Sequence, residues 1–151
     1  MDSKKLGILL IVVLIALVGG FFLISGSENV EDETPDVRNQ AQVIEDITPK
    51  EAHSLISDNK ESGDFVIVDL RTPDEYASGH IEGATNLDYY SDTFRDELEN
   101  LDKNKTYLIH CQSGRRSSAA LEIMKNLGFK KVYNMTGGMV EWQAKGLPAT
   151  E

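Results

Sequence analysis

The chain has 151 residues, 40% of them apolar, enough for one domain with a real core. Its formal net charge of −10 argues against a nucleic-acid partner, because proteins that grip a phosphate backbone carry a basic surplus. A single cysteine excludes an intramolecular disulfide, and the three scattered histidines lack metal-ligand spacing, so neither a metal nor a cofactor is expected.

The first 24 residues are a different material from the rest. Leu6 to Ile24, "LGILLIVVLIALVGGFFLI", is a run of 19 residues without charge or proline. As a helix it would reach roughly 28 Å, close to the thickness of a bilayer's hydrocarbon layer. With no polar face it cannot be a surface helix of a soluble core. Lys4 and Lys5 precede it, and the next charges are Glu28, Glu31, Asp32 and Glu33. The positive-inside rule then keeps the N-terminus in the cytoplasm and sends the remainder across. The expectation is a transmembrane anchor over residues 6–24 with an extracytoplasmic domain. The alternative is a signal sequence cut near Ser25 or Ser27, and secretion. A run of 19 exceeds the ~7–15 apolar residues of signal peptides, which favours the anchor. Residues 25–41, with five acidic groups, one arginine and one proline, read as an acidic flexible linker.

From residue 42 to 151, short apolar runs alternate with capped helices. "VIEDI" (Val43 to Ile47) predicts a strand. "TPKE" supplies Thr48 as N-cap, Pro49 at the first helical position and Glu51 three residues after the cap, a capping box that opens a helix over Ala52 to Ile56. "FVIVDL" (Phe65 to Leu70) is a continuous apolar run suited to a strand buried on both faces. A second capping box, Thr72 to Glu75, starts a short helix. Ala84 to Leu87 predicts a third strand and Thr93 to Leu101 a helix; Thr106 to His110 predicts a fourth strand. After Arg116, Ala120, Ile123, Met124 and Leu127 share one helical face and Gly128 is the C-cap. Lys131 to Met135 gives a fifth strand, and "GGMVEWQAKGLP" a last short helix stopped by Gly146 and Pro148. Alternation of this kind predicts an α/β domain with a mainly parallel five-stranded sheet flanked by helices. Its ligand crevice should lie beyond the carboxyl ends of the strands, where Asp69 and Cys111 fall.

The stretch that carries chemistry is "YLIHCQSGRRS", Tyr107 to Ser117, in which the only cysteine ends an apolar run. A helix starting at Arg115 to Ser117 would bring the amides of Gln112, Ser113, Gly114, Arg115 and Arg116 to its N-terminus. That end carries roughly +0.5 of a charge and free N–H donors, which favour an anion. Such a setting lowers a thiol pKa from ~8.5 toward ~3.5–7.5. Gly114 lets the backbone turn without a Cβ in the anion's way. Two arginines in a first turn oppose the dipole by roughly 0.3–1 kcal/mol each. They make sense if an anion lies between them and the thiolate. The plain alternatives are a small buried cysteine at a strand end and a solvated first turn, the latter fitting Arg115 better than Arg116.

Residues 42–151 resemble a rhodanese-like domain, the sulfurtransferase fold, through three ordered motifs. "CQSGRRS" is similar to that family's active-site loop. "VDLRTPDEYASGHIEGATNL" is similar to its second signature, through Asp69, Arg71, Tyr76, Gly79, His80, Ile81, Gly83, Ala84 and Asn86. Glu82 departs from it, standing where the family usually has proline. "GGMVEWQAKGLP" matches the closing segment through Gly137, Gly138, Trp142, Gly146 and Pro148. The resemblance implies that Cys111 takes sulfane sulfur from a small sulfur-containing anion such as thiosulfate, or from a persulfide, and passes it to cyanide, a thiol or a protein acceptor. It also implies that the 112–116 loop binds the donor. Asp69, Arg71 and His80 are read as structural support, since buried charges persist only when paired.

Two other classes are weighed against this. Cysteine-dependent phosphatases hold five residues between cysteine and arginine, whereas Cys111 and Arg116 enclose four, leaving Ser117 at the phosphatase arginine's position. A non-catalytic docking or sulfur-delivery module would use the same architecture, and loss of the cysteine would be its marker; Cys111 is present.

Overall fold

Strands and helices alternate along the domain because apolar runs and capping signals alternate in its sequence. The computed structural model of the protein describes residues 41–150. The elements in order are β1 (Val43–Ile47), α1 (Pro49–Asp58), β2 (Phe65–Asp69), α2 (Pro73–Ala77), β3 (Ala84–Asn86), α3 (Phe94–Glu99), β4 (Thr106–His110), α4 (Arg115–Asn126), β5 (Lys131–Met135) and α5 (Gly138–Ala144). The anchor expected over residues 6–24 and the linker over 25–40 lie outside the described residues. Among those residues no helix is long and apolar enough to cross a membrane.

Local chemistry sets the helix starts. Both capping boxes form: Thr48 with Glu51 ahead of α1, and Thr72 with Glu75 ahead of α2, each followed by proline at the first helical position. Helix α4 has its C-cap at Leu127, one residue before the predicted cap. Gly128 follows at φ +83°, and Phe129 N–H donates to Met124 O at 3.1 Å, the wrap-around bond of a left-handed C-terminal turn. The buried stripe of α4 is Ser117, Ala120, Leu121 and Met124, while Ile123 and Leu127 are only half-buried. It is rotated from the predicted face because Ser117 is drawn inward by the site below it.

The five strands are parallel in the order β1-β5-β4-β2-β3. Side chains alternate across the sheet. On one face Val68, Tyr107, Ile109, Cys111 and Val132 pack with Phe94 and Leu98 of α3 and Ala120, Leu121 and Met124 of α4. On the other, Ile67, Leu108 and Met135 pack with Ala52 of α1 and Met139 and Trp142 of α5. After β4 the chain returns on the β5 side, and after β2 on the β3 side. The loops therefore diverge between β4 and β2, and the crevice at that switch point opens beyond Cys111 and Asp69.

Candidate active site

Strand β4 delivers Cys111 to the sheet's carboxyl end and α4 begins four residues later, so the loop must reverse within Gln112–Gly114. Gly114 makes the reversal at φ +93°, a conformation that disfavours residues with a Cβ. Its N–H donates to Cys111 Sγ at 3.1 Å. The thiol is 1% exposed and belongs to the hydrophobic core cluster beneath α4. Burial is the largest single influence on its acidity and pushes the pKa up. Hydrogen bonds from the Ser117 amide and hydroxyl, and from the Ser113 and Gly114 amides, together outweigh it, so the pKa is lowered. The Ser117 hydroxyl also lies 3.1 Å from Gly114 O, so its one proton is shared between that carbonyl and the sulfur.

A second element pins this loop from behind. Gly137 and Gly138, at φ +71° and +55°, turn the chain after β5 so that Met139 N–H donates to Cys111 O at 2.9 Å and Val140 N–H to Gln112 O at 3.0 Å. A Cβ on Gly138 would strike the Cys111 carbonyl oxygen and come within 2.8 Å of the Gln112 carbonyl carbon. Gly138 is thus a close-approach requirement of the cysteine loop, whereas a Cβ on Gly137 would meet the Glu141 side chain.

The two arginines diverge. Arg115 is exposed and lines a cleft of about 510 Å³ with Thr72, Glu75, Tyr89, Tyr90, Gln112 and neighbouring loop residues. Arg116 is half-buried and turns its fork onto Glu75, Nη1 to Oε2 at 2.7 Å and Nη2 to Oε1 at 2.8 Å. The Tyr90 ring lies 5.5 Å from its guanidinium carbon. The Arg116 bonds hold the Glu75 carboxyl at about 2, and Glu75 in turn raises the arginine, with a smaller contribution from Cys111. The Arg116 fork is therefore taken by one of the protein's own carboxylates, where the sequence leads one to expect a bound anion. In the sequence Glu75 reads only as part of a helix cap; its partner lies 41 residues away, a separation no local pattern spans.

At the end of β2, charges close on one another. Asp69 is fully buried and Arg71 is 3% exposed. Arg71 Nε lies 3.0 Å from both Asp69 oxygens and Nη2 lies 2.8 Å from Oδ2. Its remaining donors reach Gly79 O at 2.6 Å and Gln112 Oε1 at 3.3 Å, which ties this corner to the cysteine loop. His80 stacks on Tyr76 with ring centroids 3.9 Å apart, and its backbone pairs with Thr150. Beside Asp69, His110 is fully buried with neither ring nitrogen hydrogen-bonded. Burial lowers its pKa to about 4. Its 3.8 Å approach to Asp69 Oδ2 is accordingly not an ion pair at neutral pH. Among the described residues no group of three His, Cys, Asp or Glu side chains could hold a metal ion.

Comparison with known proteins places this geometry in a family. Residues 48–145 match the rhodanese-like domain. Over 98 residues the chain is 36% identical to a thiosulfate sulfurtransferase, GlpE, of Pseudomonas entomophila, covering 65% of this chain and 84% of that protein. It is 33% identical over 98 residues to a sulfurtransferase of Allochromatium vinosum, covering 65% and 90%. A crystal structure of a rhodanese-like domain protein from Staphylococcus aureus superimposes with a TM-score of 0.58 at 34% identity, covering 71% of this chain and 99% of that one. By sequence match, sheet order and the cysteine loop at the switch point, the chain belongs to the rhodanese-like domain family.

Proposed function

We propose that the protein is a single-domain sulfurtransferase that carries sulfane sulfur as a persulfide on Cys111. The observation that carries this reading is the set of donors converging on Cys111 Sγ, with the Gly114 amide at 3.1 Å, at the start of a 12-residue helix. Donors fixed by the backbone need no reorganisation when charge arrives on sulfur. The thiolate attacks the outer sulfur of the donor, a new S–S bond forms, and the donor's own bond to that sulfur breaks. The leaving group departs with the electron pair, as sulfite from thiosulfate or as a thiolate from a persulfide. A second nucleophile, cyanide or a thiol, then attacks the outer sulfur of the Cys111 persulfide and restores the Cys111 thiolate. The two displacements are ordinary covalent catalysis. Phosphoryl chemistry fits less well, because the four-residue cradle is short and the Arg116 fork is filled by Glu75. The run at residues 6–24, preceded by Lys4 and Lys5, supports an uncleaved anchor that holds the domain outside the cytoplasm.

Intact mass spectrometry of the reduced protein after exposure to thiosulfate or a persulfide tests the chemistry. A gain of one sulfur atom is expected on the native protein and none on Cys111→Ser, whose turnover should fall by at least ~10³-fold. Equal loading of both proteins would remove Cys111 from the reaction.

A further inference from the structure

We propose that Glu75 sets the donor class, so that the cleft beside Cys111 takes an organic persulfide, R–S–SH, in preference to a dianion such as thiosulfate. The inference rests on the sulfurtransferase reading above and narrows it.

Charge separates the two donors. Glu75 engages both forked nitrogens of Arg116, and its Oε2 also accepts from the Thr72 amide at 3.0 Å and the Thr72 hydroxyl at 3.1 Å. It cannot swing aside for an incoming anion without giving up the cap of α2. Arg115, exposed on the cleft wall, has no carboxylate partner among the described residues. Two arginines against one glutamate leave a single uncompensated side-chain charge in the lining. A Cys111 thiolate, which acts electrostatically on Arg116, offsets it. No side-chain charge is then left to hold a dianion, and the partial charge of the loop amides is already directed at Cys111. A neutral or singly charged donor meets no such deficit.

Shape points the same way. At about 510 Å³ the cleft is several times what a small inorganic anion fills, since one water occupies ~30 Å³ of liquid. It falls within the ~300–1,000 Å³ of sites that bury organic ligands. Tyr89, Tyr90 and Ala119 supply apolar lining, and Tyr90 is 67% exposed. These surfaces suit the carbon portion R, which thiosulfate lacks. In the transfer, the Cys111 thiolate attacks the terminal sulfur of R–S–SH, one S–S bond forms and the donor's S–S bond breaks. R–S⁻ leaves with the electron pair, and the proton stays on the new Cys111–S–SH. Arg115, on the cleft wall, balances the charge that appears on R–S⁻.

The test is the rate of Cys111 loading against donor concentration, read by intact mass on the reduced full-length protein. The donors are thiosulfate and cysteine hydrodisulfide. The native protein should load from the hydrodisulfide with an apparent second-order constant at least about tenfold above that for thiosulfate. Glu75→Gln should cut that ratio about tenfold, mainly through tighter use of thiosulfate, and Arg115→Gln should widen it. A native preference for thiosulfate, or a folded Glu75→Gln protein with an unchanged ratio, overturns the proposal. If Glu75→Gln does not fold, the native ratio and Arg115→Gln decide it. Loading from neither donor would instead sink the sulfurtransferase reading, and the donor inference with it.

Discussion

Two strand ends stand side by side in this sheet, with Asp69 of β2 in register with His110 of β4, and they treat charge in opposite ways. Beyond β2, Asp69 and Arg71 satisfy each other through three side-chain contacts of 2.8–3.0 Å and leave nothing for a ligand. Beyond β4, the atoms aimed at Cys111 are backbone amides and a hydroxyl, which bring partial positive charge without an accompanying anion. Charged side chains at a strand end are thus no sign of a site in themselves. Unspent donors are. Arg116 belongs partly to each side, since its fork is closed by Glu75 while its remaining influence falls on Cys111.

The contrast can be broken most forcefully on the β2 side. Asp69→Ala leaves the Arg71 guanidinium buried without its carboxylate, and stability should fall by about 3–5 kcal/mol. Denaturant midpoints measure this, and sulfur loading per folded molecule should drop far less than in Cys111→Ser. An Asp69→Ala protein of native stability that fails to load would show that this corner serves the chemistry after all.

Acid should act next, on the buried histidine of β4 that stands beside Asp69. His110 has its pKa lowered to about 4 by burial, against an ordinary ~6.5, with the Asp69 carboxylate opposing that shift and Arg71 and His80 adding to it. Below pH ~6.5 the unfolded chain takes up a proton that the fold refuses. Stability should therefore decline from about pH 6.5 to 4, by about 3 kcal/mol, and level off below that. Glu75 acts in a lower window: its depressed pKa gives stability above ~4.5 that is lost as pH falls toward 2. Urea titrations at stepped pH on native protein and His110→Gln should show the upper slope in the first and a flat line in the second. The same upper slope in both would assign it elsewhere.

On the β4 side the weak point is indirect. Gly138→Ala combines φ +55° with a Cβ driven into the Cys111 and Gln112 carbonyls, at a stability cost of about 2 kcal/mol. Loading should fall more than about tenfold, because the loop that aims the amides moves. Retained loading would mean the cradle tolerates displacement.

What could be read from the sequence follows the range of the interactions. Strands β1, β4 and β5 have the predicted bounds because each is a short stretch with apolar side chains at most positions, closed by a strong signal such as Thr48-Pro49 after β1. Strand β2 stops at Asp69 rather than Leu70, although the Leu70 amide still reaches His110 O at 2.8 Å. The capping glutamates were legible, because cap and partner are three residues apart. The long-range halves of the site were not. Glu75 with Arg116, Gly138 against the Cys111 carbonyl, and Tyr89 and Tyr90 over the loop are joined only once the sheet order is set. The inward turn of Ser117 has a faint local signal, a small polar residue on the helical face that carries Ala120 and Met124.

Whether the amide cradle makes Cys111 a thiolate is read most directly from thiolate ultraviolet absorbance during a pH titration of the reduced protein, with Cys111→Ser as the blank. The chain has one cysteine, so the signal has one source. Because the donors on sulfur outweigh burial, the midpoint should fall below the ordinary ~8.5 of a free thiol. A midpoint at or above ~8.5 would mean that burial wins, leaving a cysteine of the core and no poised nucleophile.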